Sequence, residues 1–211
     1  MSARQTANAL LQALSGLVPG SFRTGSGRSL LAVAPVRHGI FTGFTTETSS
    51  GRPERYVWAF VQPLYLLPRD FLQLDFGVRL GPGTGKGWLV EDADDLLSFA
   101  APVVASLVAA ATPHGFLEHW IDRPGLSPPA VMIGRALTHL RLGHTDQVSV
   151  LAEHASALDR AVPWERDDRF RLEQLLAWAA EGPVGMAKVQ AQFDQWERDA
   201  CVALKLPLTS T

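Results

Sequence analysis

Ala7, Leu10, Leu11, Leu14 and Leu17 recur at spacings of three and four, with Gln5, Asn8 and Gln12 off their stripe. That period predicts an amphipathic helix over residues 3–17, stopped by Pro19 and Gly20. From there to about residue 80 the pattern shortens to β-rich segments between Gly, Ser and Pro: 29–36, 40–48, 55–66 and 71–80. Four such segments in succession predict a four-stranded antiparallel meander. In 71–80, Leu72, Leu74, Phe76, Val78 and Leu80 alternate with Gln73, Asp75, Gly77 and Arg79, giving one apolar and one polar face. In 55–66, Tyr56, Trp58 and Phe60 alternate with Val57, Ala59 and Val61, so neither face is polar and the strand belongs centrally, covered on both sides.

After Trp88 the period is helical. Glu91, Asp92, Asp94 and Asp95 suit the positive end of a helix dipole and read as caps. The apolar run Leu96 to Ala111 follows, and Pro102 is expected to kink or divide it. Pro113 and Gly115 mark a break, and RPGLSPP (123–129) reads as a linker. A helical hairpin then turns through Leu142, Gly143 and His144. Its sequence resembles a tetratricopeptide-type unit, but no second copy appears at a fixed period. Two more helices are predicted at 163–180 and 183–204, the last with a stripe of Met186, Val189, Phe193, Trp196, Ala200 and Leu204. The expected fold is α+β: an N-terminal helix, the sheet, then a helical C-terminal half, with 1–122 and 130–211 packed on the same core.

Composition narrows the function classes. Of 211 residues 46% are hydrophobic and 19% charged, with net charge −2, which describes a soluble globular protein and argues against a nucleic-acid partner held by a dense basic patch. The single Cys201 excludes an internal disulfide framework and fits a reducing compartment. The polar-interrupted N-terminus does not read as a secretory signal, and the run 96–111 is too short for a bilayer, so no membrane association and a cytoplasmic location are expected. Arginine outnumbers lysine 16 to 3, a bias of high-GC bacterial coding sequences.

Candidate chemistry is sparse. LGPGTGKGW (80–88) resembles a phosphate-binding loop, yet Leu80 stands where the first glycine belongs and Gly87 where the magnesium-binding hydroxyl belongs. It reads as a sheet-to-helix connection. The histidines show no H-E-x-x-H arrangement; His139 and His144, five apart, are off a common helical face, and His114 and Glu118 read as a surface pair. No G-x-S-x-G occurs, Cys201 reads as an inert helix thiol, and adjacent Asp94/Asp95 and Asp167/Asp168 diverge by roughly 100° on a helix. The sequence therefore yields no catalytic residue, no cofactor site and no metal site.

What stands out is an aromatic and arginine set around the sheet. Tyr65, Arg69, Asp75, Arg79 and Trp88 are residue types that anchor protein interfaces, and they form the expected partner-binding set, near Trp58. A structural alternative puts Trp58 in the core, Trp88 as a cap on the sheet edge and Asp75 against Arg79 on a solvated face. The stretch FVQPLYLLPRDFLQLDFGVRLG (60–81), with Trp88 after it, resembles small bacterial α+β proteins, some of them toxin-immunity or accessory proteins. The resemblance covers about a tenth of the chain and rests on Gln62, Pro63, Leu64, Tyr65, Phe76, Gly77, Arg79 and Leu80. It implies a non-catalytic protein-binding module whose partner is a toxin or a component of a secretion or defence system. The alternative is an enzyme, a hydrolase or nucleotide-modifying enzyme, with a site assembled from distant residues such as Asp75, Arg79 or a histidine. A deep polar pocket would favour the enzyme; a flat or convex sheet face would favour the binding module.

Overall fold

The computed structural model describes residues 3–18, 20–24, 30–32, 36, 38–48, 54–67, 72–81 and 87–206. Helix α1 (Ala3–Ser15) precedes five strands: β1 (Phe22–Thr24), β2 (Leu30–Ala32), β3 (Ile40–Thr48), β4 (Arg55–Pro63) and β5 (Gly77–Leu80). A 3₁₀ turn (Val90–Asp92) leads into α2 (Ala93–Ala109), α3 (Pro113–His119), α4 (Pro128–Arg141), α5 (Val148–Ala157), α6 (Pro163–Ala179) and α7 (Pro183–Leu204). The α+β class, the opening helix, the antiparallel sheet and the helical remainder match the expectation from pattern.

The sheet is a meander in the order β1-β2-β3-β4-β5, antiparallel throughout. The expected count of four strands is corrected. Three strands of four or more residues (β3, β4, β5) form the body, and two three-residue strands extend one edge. The long β3–β4 ladder runs from Ile40 opposite Pro63 to Thr48 opposite Arg55. The segment 71–80 keeps only Gly77–Leu80 as strand, because a turn closed by Gly77 N–H to the Leu74 carbonyl (2.8 Å) interrupts it. The Gln62 side-chain carbonyl accepts from the Gln73 N–H (3.2 Å), standing in for a ladder partner. The turn also switches sides, so Leu72 joins one buried cluster and Phe76 the other, and the apolar alternation does not mark one face.

Both sheet faces are covered, for different reasons. On the first, Phe44, Val57, Ala59 and Val61 share a cluster with Leu10, Leu11 and Leu14 of α1 and Leu96, Ala100 and Leu107 of α2. Each buried leucine contributes about 1.5–3 kcal/mol relative to exposure. On the second, Phe41 and Phe60 meet edge to face (centroids 5.1 Å apart) under Ala200, Cys201, Leu204 and Leu206. Helix α7 therefore serves two clusters, with Val189, Phe193 and Trp196 in the first and its last turn in the second. The first cluster also joins Phe76 and Trp120 to Ile133, Leu137 and Phe193, so residues on both sides of the 123–129 stretch share it.

Local signals account for the helix boundaries. The Leu89 N–H donates to Asp92 (2.9 Å), so Asp92 caps as expected. Pro102 does not divide α2, which runs through it. The Pro113–Gly115 break is instead the start of α3, with Thr112 accepting from the Gly115 N–H (3.0 Å) and Pro113 at the first turn. Gly134 lets α4 approach the turn before β5, because a Cβ there would lie 2.5 Å from the Phe76 ring.

A polar clamp fastens α4 to α7. The Arg141 side chain, 16% exposed, reaches Asp194 (2.8 Å), Glu197 (2.8 Å) and the Gln190 side-chain oxygen (3.0 Å). Glu197 lies over Gly39, whose φ of +73° needs glycine and whose missing Cβ leaves room for the carboxylate. Burial pushes the Glu197 carboxyl above its ordinary range; Arg141 opposes the shift. Among the described residues, no helix is long and apolar enough to cross a membrane.

Candidate cleft between the sheet end and helices α4 to α6

Of the expected partner-binding set, Tyr65 and Trp88 are buried and so do not share a surface with Asp75 and Arg79. Tyr65 is fully buried; its hydroxyl bonds to the Thr138 hydroxyl (3.1 Å) and its ring meets Phe193 edge to face. Burial drives its phenol well above the ordinary range, with the Thr138 hydrogen bond acting in the opposite direction. Trp88 is 3% exposed, its indole N–H donates to the Leu80 carbonyl (2.7 Å), and its backbone pairs with Arg55 at 2.8 and 2.9 Å. Both are internal fasteners: directly after a sheet element, a large ring with one polar atom is best satisfied by the neighbouring layer. This matches the alternative in which Trp88 caps the sheet edge.

Arg79 lies on the second sheet face opposite half-buried Trp58, with its guanidinium 3.7 Å from the Tyr56 ring centroid. Arg69 falls outside the described residues, as do 82–86 of the glycine-rich stretch. Gly87 and Trp88 on its far side are not the start of a helix, since α2 begins only at Ala93. That geometry lacks the helix N-terminus a phosphate loop requires.

Asp75 lines a cavity. It stands exposed in the turn before β5, at the rim of a cleft of about 310 Å³. Leu66, Phe76, Ile133 and Leu137 give the cleft apolar walls; Leu158 and Trp164 close it from the far side. The polar lining includes His154 on α5 and Glu165 and Asp168 on α6. Trp164 and Asp168 are four apart and extend the stripe of Leu172 and Leu175. The stripe is buried from Asp168 onward, whereas Trp164, one turn earlier, is 58% exposed.

The charged lining is acidic, and one of its carboxylates is already paired. Asp168 is 3% exposed and pairs with Arg171 (3.2 Å). Glu165 accepts from the Asp159 N–H (2.7 Å), which ties the α5–α6 connection to the rim. Burial lowers the His154 pKa, against the pull of Asp168 and Glu165, so the imidazole is mostly neutral at pH 7. Among the described lining residues, therefore, the formal charges are Asp75, Glu165 and Asp168, with no Lys or Arg.

Sequence reasoning missed His154, Trp164, Glu165 and Asp168. One signal was legible: PWERDDRFRLEQ places Trp164 and Phe170 among charges, and both project from α6 at 58% and 65% exposure. The rest needed the α5–α6 turn to bring them to Asp75, some 80 to 90 positions away. Elsewhere, His114 and Glu118 form the expected exposed i,i+4 pair (3.1 Å), and Cys201 is buried with its thiol pKa raised by burial.

Compared with known proteins, the chain matches no family model, no curated protein and no solved structure.

Proposed function

We propose that the chain is a non-catalytic protein-binding module whose cleft between α4, α5 and α6 receives a basic side chain of its partner. The observation that carries this reading is Trp164, more than half exposed at the rim of an apolar cleft whose described charged lining is carboxylate alone. An exposed indole offers contact area that only a covering surface can use, and tryptophan is enriched among residues that dominate interface energies. A lysine or arginine lays its methylenes on apolar walls and carries its charge to acidic groups at the mouth. The resemblance of residues 60–81 supports a toxin or a component of a secretion or defence system as the partner, met in the cytoplasm.

A hydrolytic reading has one observation in its favour. His154, mostly neutral and close enough to Asp168 and Glu165 to feel both charges, has the character of a base that could activate water. The described lining residues hold no Ser, Thr, Cys, Lys or Tyr, so the nucleophile in such a reading is water or one of the carboxylates.

Affinity capture from the native host, with wild type beside Trp164→Ala and Glu165→Lys, tests the binding reading. Wild type should recover one dominant protein, and each variant should bind it at least about 30-fold more weakly, the loss expected of an interface anchor. Equal recovery by all three proteins would overturn the assignment of this cleft. Binding should also weaken as pH falls through the lowered His154 range, because imidazolium adds a positive charge facing the partner's cation.

A further inference from the structure

We propose that His139, His144 and Asp146, at the turn between α4 and α5, form a binding site for a divalent transition metal of borderline softness, zinc foremost. The three residues offer ligand atoms that all lie within 4.8 Å of one another. The two imidazole Nδ1 atoms are 3.4 Å apart. That separation is long for a hydrogen bond between them. It matches two ligands on one tetrahedral ion, since nitrogens at about 2.0–2.1 Å from zinc stand about 3.3–3.4 Å from each other.

The backbone explains how residues five apart come together. Helix α4 ends at Arg141, and Gly143 takes φ +83°. The Gly143 N–H then donates to the Leu140 carbonyl (3.1 Å) and the His144 N–H to the His139 carbonyl (2.9 Å). This pair of bonds is the Schellman stop, which sets the second residue past the helix cap beside the residue three from the end. Here those two positions are His144 and His139. On a continuing helix they would diverge, which is the expectation the turn overturns. Asp146 follows two residues later, with one carboxylate oxygen accepting from the Gln147 amide (3.2 Å).

The donor set suits zinc, nickel or copper better than magnesium or calcium, because two of three ligands are imidazoles. Three protein ligands at an exposed turn leave a fourth position to water. The site is separate from the cleft and does not depend on its assignment. Its consequence is a cross-link between the end of α4 and the start of α5, independent of any partner.

The test is titration of the full chain, carrying no polyhistidine tag, with zinc chloride by isothermal calorimetry. One equivalent should bind. The affinity should fall at least about 100-fold in His139→Ala/His144→Ala, exceeding the effect of losing an outer-shell contact. Gly143→Ala keeps both imidazoles but strains the turn, and it should weaken binding at least about tenfold. His114→Ala should bind as wild type does. Excess magnesium should not compete. The three histidines are not buried and Gly143 lies in a turn, and circular dichroism checks that each variant is folded. Absence of saturable binding, or binding that survives the double replacement, would overturn the proposal.

Discussion

Trp120→Ala should lower the midpoint of thermal unfolding by roughly 10 °C or more. Trp120 is 1% exposed, closes the end of α3, and its indole N–H donates to the Phe76 carbonyl (2.8 Å). Phe76 in turn stacks edge to face on Phe116 (5.1 Å), so one side chain fixes α3 to the turn before β5. Removing it leaves a cavity and takes one of two donors from the Phe76 carbonyl, which still accepts from the Val61 N–H (3.2 Å), at a cost of about 3–5 kcal/mol for the truncation. In a protein of this size each kcal/mol moves the midpoint by about 2–4 °C. Trp120→Phe separates the two contributions, because it keeps most of the apolar contact and loses only one hydrogen bond to a carbonyl that retains the Val61 N–H, about 0.5–1.5 kcal/mol. A loss below about 1 kcal/mol for the alanine variant, read from urea denaturation, would show that α3 is not held this way.

The second large effect concerns Arg141→Ala, and it should depend on pH. The substitution removes the main cation from Glu197, which stays largely desolvated against Gly39 with Arg198 still opposing the burial, and unpairing a buried ion costs about 3–5 kcal/mol, discounted here to about 2–4 because Asp194 is half exposed. The folded-state pKa of Glu197 is already raised by burial, and without Arg141 it should rise further. A raised carboxyl pKa means that the native state binds its proton more readily than the unfolded chain does. The stability it contributes is present below the ordinary glutamate range and is lost as pH rises through the folded value. The variant's deficit against wild type should therefore shrink in mild acid and be largest near neutrality. Denaturation midpoints at several pH values would show this slope. Adding Glu197→Gln should recover much of the neutral-pH loss, and failure of that rescue would mean the damage is to packing.

Much of the architecture was readable because the chain's apolar periods are regular. Leu10, Leu11 and Leu14 specify α1, and the stripe from Val189 to Leu204 specifies α7, since each buried position is one helical step from the next. The misreadings have physical causes. Leu72 to Leu80 alternate without being one strand, because the turn at Leu74–Gly77 sends Leu72 and Phe76 to opposite sides of the sheet. Of the two outcomes expected at Pro102, a kink or a division of the helix, the division does not occur, since α2 runs from Ala93 to Ala109 through it.

The candidate sites were less readable than the fold. Tyr65 and Trp88 have the chemistry of interface anchors, but the same ring and polar atom also fasten one layer to the next, and composition does not tell the two apart. The cleft joins Asp75 to His154 and Asp168 through contacts that no local pattern encodes. The histidine pair is the instructive exception. The signal is present as a histidine followed four residues later by glycine and then histidine, and it becomes visible only when the glycine is read as a helix stop.

The last turn of α7 has a consequence during synthesis. Phe41 and Phe60 sit beneath Ala200 and Leu204, and Phe60 precedes Ala200 by 140 positions. At about 5–20 residues per second, the ribosome delivers that cover roughly 7–30 s after the strands. For that interval a nascent chain carries an aromatic strand pair open on one side, long compared with the microseconds in which hairpins form. Apolar strand surface exposed in this way makes a nascent chain prone to aggregate, and slow translation of the helical half lengthens its exposure.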